Sequence, residues 1–141
     1  MKTVHKLIGI ALSLSFITAC SGSPKTALQS MPLDYRMLLS QRCYCPEQFL
    51  GPFDIEVRKG QALSIVRISD QARLSNTTLG KEIPSLEQIL QHIQTAQTRH
   101  QHRFEVQWVH EPYVPRYVLI DRSARVSDDE IEYRIEDFEL R

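Results

Sequence analysis

The order and period of the apolar residues predict an α+β domain: an antiparallel sheet of about six strands, in βββ-α-βββ order, with one helix on one face. Strictly alternating segments stand on both sides of a single stripe of helical period. A glycine hairpin signal and a helix-start signal mark the joints between them.

The segment Asp34 to Cys43 has the content of a first strand. In Phe53-Asp54-Ile55-Glu56-Val57-Arg58 apolar and charged residues alternate, so Phe53, Ile55 and Val57 face the core. Lys59-Gly60-Gln61 separates this strand from the apolar stretch Leu63 to Ile68. Lysine is a poor first residue for a two-residue type I′ loop, so a three-residue turn with a glycine bulge is expected. The helix is marked by Pro84, then Ser85-Leu86-Glu87-Gln88, a capping box in which Ser85 and Gln88 satisfy each other's backbone N–H groups. Leu86, Ile89, Leu90, Ile93 and Ala96 then share one face. Arg99, His100, His102 and Arg103 fall where the helix should end, and cations there offset the negative end of its dipole.

Phe104 to Trp108, Tyr117 to Ile120 and Ile131 to Ile135 supply three further strands. The alternation slips at Glu136-Asp137, which predicts a bulge before Phe138. Trp108 continues the inward phase of Phe104 and Val106, so it is expected in the core.

The N-terminus reads as a bacterial lipoprotein signal. Lys2 and Lys6 precede an apolar run, Leu7 to Ile17, that closes on Ile17-Thr18-Ala19-Cys20. The run is too short to span a membrane, which takes about 20 apolar residues. Residues 1–19 are thus expected to be removed, with Cys20 carrying lipid, palmitate included, that anchors the chain. Ser21 follows Cys20, and resemblance to other bacterial lipoproteins then implies the periplasmic face of the outer membrane. Residues 20–32 read as a flexible tether, of which ten residues reach about 30 Å extended, and residues 33–141 as one domain.

Of the 17 Lys and Arg and 17 Asp and Glu, two lysines and no acids lie in the removed segment, leaving 15 minus 17, or −2. That balance gives no footprint for nucleic acid. The expected partners are the membrane, through the lipid, and an envelope protein.

Cys43-Tyr44-Cys45-Pro46 is the chemical motif. With Cys20 acylated, Cys43 and Cys45 have one intramolecular pairing open to them. They read as a small staple, as two thiols that are reduced or linked to a partner, or as a redox pair. On an extended strand their Cα atoms would lie near the upper limit for a bridge, about 6.8 Å, so a bond between them calls for a turn. Soft-metal binding with His92, His100, His102 or His110 is the other use of the same thiols. The spacing matches no closed four-ligand pattern, so no metal and no cofactor is assigned.

Asp128-Asp129-Glu130 is an acidic run without the alternating ligands and glycine of a calcium loop, and a solvated turn or a docking surface is expected. Trp108, Tyr113 and Tyr117 flank Pro112 and Pro115 in a turn-rich stretch, a second candidate binding surface. No G-x-S-x-G, phosphate loop or nucleophile-base set is found, and no catalytic residue is assigned.

Asp34-Tyr35-Arg36, the C-x-C-P of Cys43 to Pro46, Phe53 to Gly60, the Pro115-to-Asp121 strand and Asp128 to Tyr133 together resemble a bacterial domain-of-unknown-function family, the one numbered 6174. The resemblance covers nearly all of residues 33–140 and implies a small secreted or lipid-anchored α+β domain. The chain departs from the family where Trp108-Val109 and Tyr113-Val114-Pro115 replace an aromatic-Asp pair and Gly-Tyr-Pro. The family brings no activity. A non-catalytic binding or structural module is the reading preferred, with a thiol-redox or soft-metal protein using Cys43 and Cys45 as the alternative.

Overall fold

The computed structural model describes residues 30–110, 113–126 and 128–141 of the chain. The signal segment, Cys20 and most of the tether lie outside the described residues. Six strands form one antiparallel sheet: β1 (Tyr35–Arg42), β2 (Phe53–Arg58), β3 (Gln61–Arg67), β4 (Arg103–His110), β5 (Tyr113–Asp121) and β6 (Ile131–Leu140). The helix, α1 (Leu86–Thr98), lies between β3 and β4 in sequence. In space the strand order is β3-β2-β1-β6-β5-β4. Two three-stranded meanders therefore meet at one junction, β1 against β6.

Period-two alternation decides which face each strand buries. Tyr35, Met37 and Leu39 of β1, Phe53, Ile55 and Val57 of β2, Val118 and Ile120 of β5, and Tyr133 and Ile135 of β6 form the core. The helix covers this face with Leu86, Ile89, Leu90, Ile93 and Ala96, all buried. The opposite face carries Arg36, Arg42, Asp54, Glu56, Glu132 and Arg134. Ion pairs cross and follow the strands there, as in Arg36 with Asp54 at 2.6 Å and Arg134 with Glu132 at 2.7 Å.

The helix begins as its sequence requires. Ser85 accepts from the Gln88 backbone N–H, and the Gln88 side chain accepts from the Ser85 N–H at 3.0 Å. Gln88 also donates to the Gly80 carbonyl at 2.8 Å, tying the preceding loop to the cap. Strand β6 bulges where the alternation slips: Arg36 pairs with Glu139, Leu38 pairs with Glu136, and Asp137 has φ 47°.

Three expectations are corrected. The β2–β3 connection is a two-residue loop with Lys59 and Gly60 both at positive φ. The preceding chain holds Lys59 there, since Asp34 accepts from its N–H at 2.6 Å and Leu33 accepts from that of Gly60 at 2.8 Å. The bulge of this hairpin lies instead between Glu56 and Val57. Strand β5 starts at Tyr113, four residues before the predicted Tyr117, because β4 pairs with it along that whole length. Pro115, which lacks an N–H, is tolerated because β6 pairs with β5 only from Tyr117 onward. Trp108 is half-buried at the edge strand rather than in the core, and its ring stacks on Tyr113 at 4.6 Å.

Gly51 takes φ 90°, and a Cβ there would stand 2.8 Å from the Leu39 carbonyl oxygen. Gly51→Ala is expected to cost more than about 1 kcal/mol, since both the conformation and the space exclude a side chain. Ser85→Ala should cost about 1 kcal/mol through loss of the cap. Urea unfolding midpoints of the two variants check both values.

Candidate functional site

The cavity with the most distinct chemistry opens between the C-terminal half of α1 and the end of β5. His92, Thr95, Ala96 and Arg99 of the helix region, with His100, Gln101, Ile120 and Arg122, enclose about 260 Å³. Positions 92, 95, 96 and 99 follow helical spacing, so they form a second stripe that shares Ala96 with the buried one. Ile120 and Ala96 are both buried and form the apolar floor. Arg122 is brought in by the chain that leaves β5.

No lining residue is acidic. Nδ1 of His92 lies 2.9 Å from the Tyr133 hydroxyl, and the two rings stack. Burial first, and then the neighbouring Arg122 charge, holds His92 below the ordinary imidazole range. Burial likewise pushes the Tyr133 hydroxyl up to about 12. Both groups are therefore neutral near pH 7, and the positive charge at the cleft comes from Arg99 and Arg122. Among the described residues, Oε1 of Gln101 is buried without a hydrogen-bond partner.

Cys43 and Cys45 form a disulfide with Cα atoms 5.3 Å apart. The separation is shorter than an extended strand would give because β1 ends at Arg42 and the chain bends through the pair. A short 3-10 turn, Glu47–Phe49, follows, and Tyr44 between the cysteines is 84 % exposed. With the sulfurs bonded to each other, neither thiolate is offered to a metal. No group of three or more His, Cys, Asp or Glu converges among the described residues.

The candidate binding residues do not form one surface. Trp108 and Tyr113 pack beside the helix-covered core at one end of the sheet, with His110 tilted against Tyr113. Tyr117 lies on the opposite face, beneath the Arg134 guanidinium at 5.1 Å. Asp128, Asp129 and Glu130 precede β6 at the other end, where Glu130 accepts from Arg42, the residue before Cys43. The acidic run and the disulfide loop are therefore joined through one arginine.

The model of a family of unknown function (DUF6174) matches residues 28–140. The chain belongs to that family. No curated protein and no solved structure matches it. Within this DUF6174 domain, sequence reasoning placed Arg99 as a charge at a helix end and His100 as such a charge or a soft-metal ligand, and assigned no role to Gln101 or Arg122. The spacing of His92, Thr95, Ala96 and Arg99 was the available signal; the contribution of Arg122 depends on tertiary structure.

Two outcomes follow for the DUF6174 domain. Replacing both Cys43 and Cys45 by Ser should cost no more than about 1.6 kcal/mol in urea unfolding, because the closed loop is so short. His92 has a folded pKa below its ordinary 6.5, so the unfolded state binds its proton first. Its contribution to stability is intact above pH 6.5 and is lost as the pH falls through the folded value. Thermal midpoints of the wild type should drop on acidification from pH 7 to 5, and His92→Gln should flatten that part of the profile.

Proposed function

We propose that this chain is a lipid-anchored domain of a bacterial cell envelope, held at the periplasmic face of the outer membrane by Cys20, whose role is to bind an envelope component. The observation that carries the reading is the polarity of the sheet. The chain from the N-terminus joins the domain at the start of β1, where Leu33 and Asp34 hold the Lys59-Gly60 turn. The Cys43–Cys45 loop, the Asp128–Glu130 turn and the cationic cleft all lie toward the opposite end, which strand β1 separates from the entry by about 26 Å. A lipid at Cys20 would therefore leave that end turned away from the membrane. The tether and its approximately 30 Å reach would give the domain room to meet a partner.

In this reading the disulfide clasps the loop that returns from β1 to β2. Gln41, buried at the end of β1, donates to the Phe49 carbonyl at 2.6 Å and to the Glu82 carbonyl at 3.0 Å, so the loop is already tied down beside the bond. Binding is thus expected to survive Cys43→Ser with Cys45→Ser, whereas a redox function would be lost.

The test is metabolic labelling of the full chain with an alkyne palmitate analogue, followed by membrane fractionation. Wild type should be labelled and pelleted with membranes, while Cys20→Ala should be unlabelled. An unlabelled wild type would refute the anchor. Photo-crosslinking in cells then separates the ends: a probe at Tyr44 or Arg125 should trap a discrete partner, and one at Leu140 should not.

A further inference from the structure

The cleft beside α1 combines three features that together specify a ligand. Arg99 and Arg122 line it with no acidic residue among the other lining residues, and neither has an ion-pair partner among the described residues. Arg36, Arg42, Arg58, Arg103 and Arg134, on the far face, each have one. The floor, Ile120 and Ala96, is 4 % exposed at both residues and offers apolar contact without a polar partner. Gln101 lines the same cleft, and its Oε1, tucked out of solvent in this conformation, has no hydrogen-bond partner.

A guanidinium presents planar paired donors that match a carboxylate. The negative end of the helix dipole, roughly half an elementary charge, lies nearby but is outweighed by two full positive charges. A buried amide oxygen without a donor is costly unless a ligand or water supplies one. A bare anion would satisfy the arginines and leave both the floor and Gln101 unused.

We propose that this cleft binds the C-terminus of a peptide that ends in a small apolar residue. The terminal carboxylate lies between Arg99 and Arg122, the last side chain rests on Ile120 and Ala96, and the last peptide N–H meets Gln101 Oε1 after that side chain turns from its unpartnered position toward the cleft. The volume of about 260 Å³ is below the usual range of about 300–1,000 Å³ for drug-sized ligands, which limits the occupant to one terminal residue and its acyl group. His92 and Tyr133 form one wall through their mutual hydrogen bond. The inference goes beyond the anchoring role and stands without it, since it concerns only the purified chain.

The test is an NMR titration of the full chain, purified in detergent, with N-acetyl-alanine, which carries the carboxylate, the amide N–H and the methyl group together. N-acetyl-alanine amide, acetate and inorganic phosphate serve as comparisons. Saturable shifts are expected at Arg99, Gln101, Ile120 and Arg122, with a dissociation constant on the order of 1 mM. The neutral amide should bind at least tenfold more weakly, as should Arg99→Gln and Arg122→Gln; both side chains are exposed, so the fold should persist and be visible in the same spectra. Arg122→Lys should restore part of the affinity, and Gln101→Leu should weaken N-acetyl-alanine without changing the response to acetate. Equal binding of acetate or phosphate would reduce the cleft to a general anion site and overturn the peptide-terminus assignment. Absence of saturable shifts, or affinity indifferent to both arginine substitutions, would overturn the site itself.

Discussion

Everything in the domain depends on the pairing of β1 with β6. Among the described residues it is the only strand-to-strand junction between the two meanders, and it brings Tyr35–Arg42 against Ile131–Leu140 at the far end of the described chain. Bringing such distant segments together carries a loop-closure cost that rises only slowly with length, and the seam offsets it with contacts along its whole length. Tyr35 stacks on Phe138 at 5.5 Å at one end. At the other, Arg42 pairs with Glu130 and reaches Glu132 at 3.3 Å. Between them Leu39 and Ile135 are directly paired and buried, so the middle of the seam belongs to the core.

The Asp137 bulge is what lets that seam serve both ends. Without an extra residue in β6, the alternation that buries Tyr133 and Ile135 would turn Phe138 to the charged face. The left-handed conformation of Asp137 restores the phase, and Phe138 returns to the helix side to meet Tyr35. A short acidic side chain tolerates that conformation better than a β-branched one. Gln41 performs the corresponding task at the other end, where its buried amide binds two separate loops to the end of β1.

Local signals made most of this fold legible. Alternation over Phe53–Arg58 and Ile131–Ile135, the Ser85–Gln88 capping box and the helical stripe through Ala96 each act within a few residues, and each assigns its element and inward face correctly. The bulge was legible too, since two consecutive polar residues break a period of two. What failed depended on partners distant in sequence. Lys59 adopts a positive φ because Leu33 and Asp34 hold its turn, an effect that overrides the residue's own preference. Trp108 has the inward phase, but β4 is an edge strand, so it packs against the core without being fully covered. The cleft was legible only in part, because Arg122 joins His92 and Arg99 through the β5 packing and not through any spacing along the chain.

The distribution of charge explains why the cleft stands out from a surface rich in arginine. Exposed ion pairs such as Arg58 with Glu56 contribute little to stability, about 0–1 kcal/mol each, but they cancel the field of the far face at close range. That face is consequently polar, and most of its cations are neutralised locally, Arg116 excepted. The sheet edges are guarded in other ways: residues 72–76 lie along β3, through Leu74 N–H to Ile65 and Arg67 N–H to Ala72, and β4 carries charged Arg103 and Glu105 and runs beside a bulge at Arg116 of β5. Pairing and coverage thus quiet the largest surfaces of the molecule. Arg99 and Arg122, exposed beside an apolar floor, keep charges that no ion pair neutralises among the described residues, so their donors stay available to an anionic ligand.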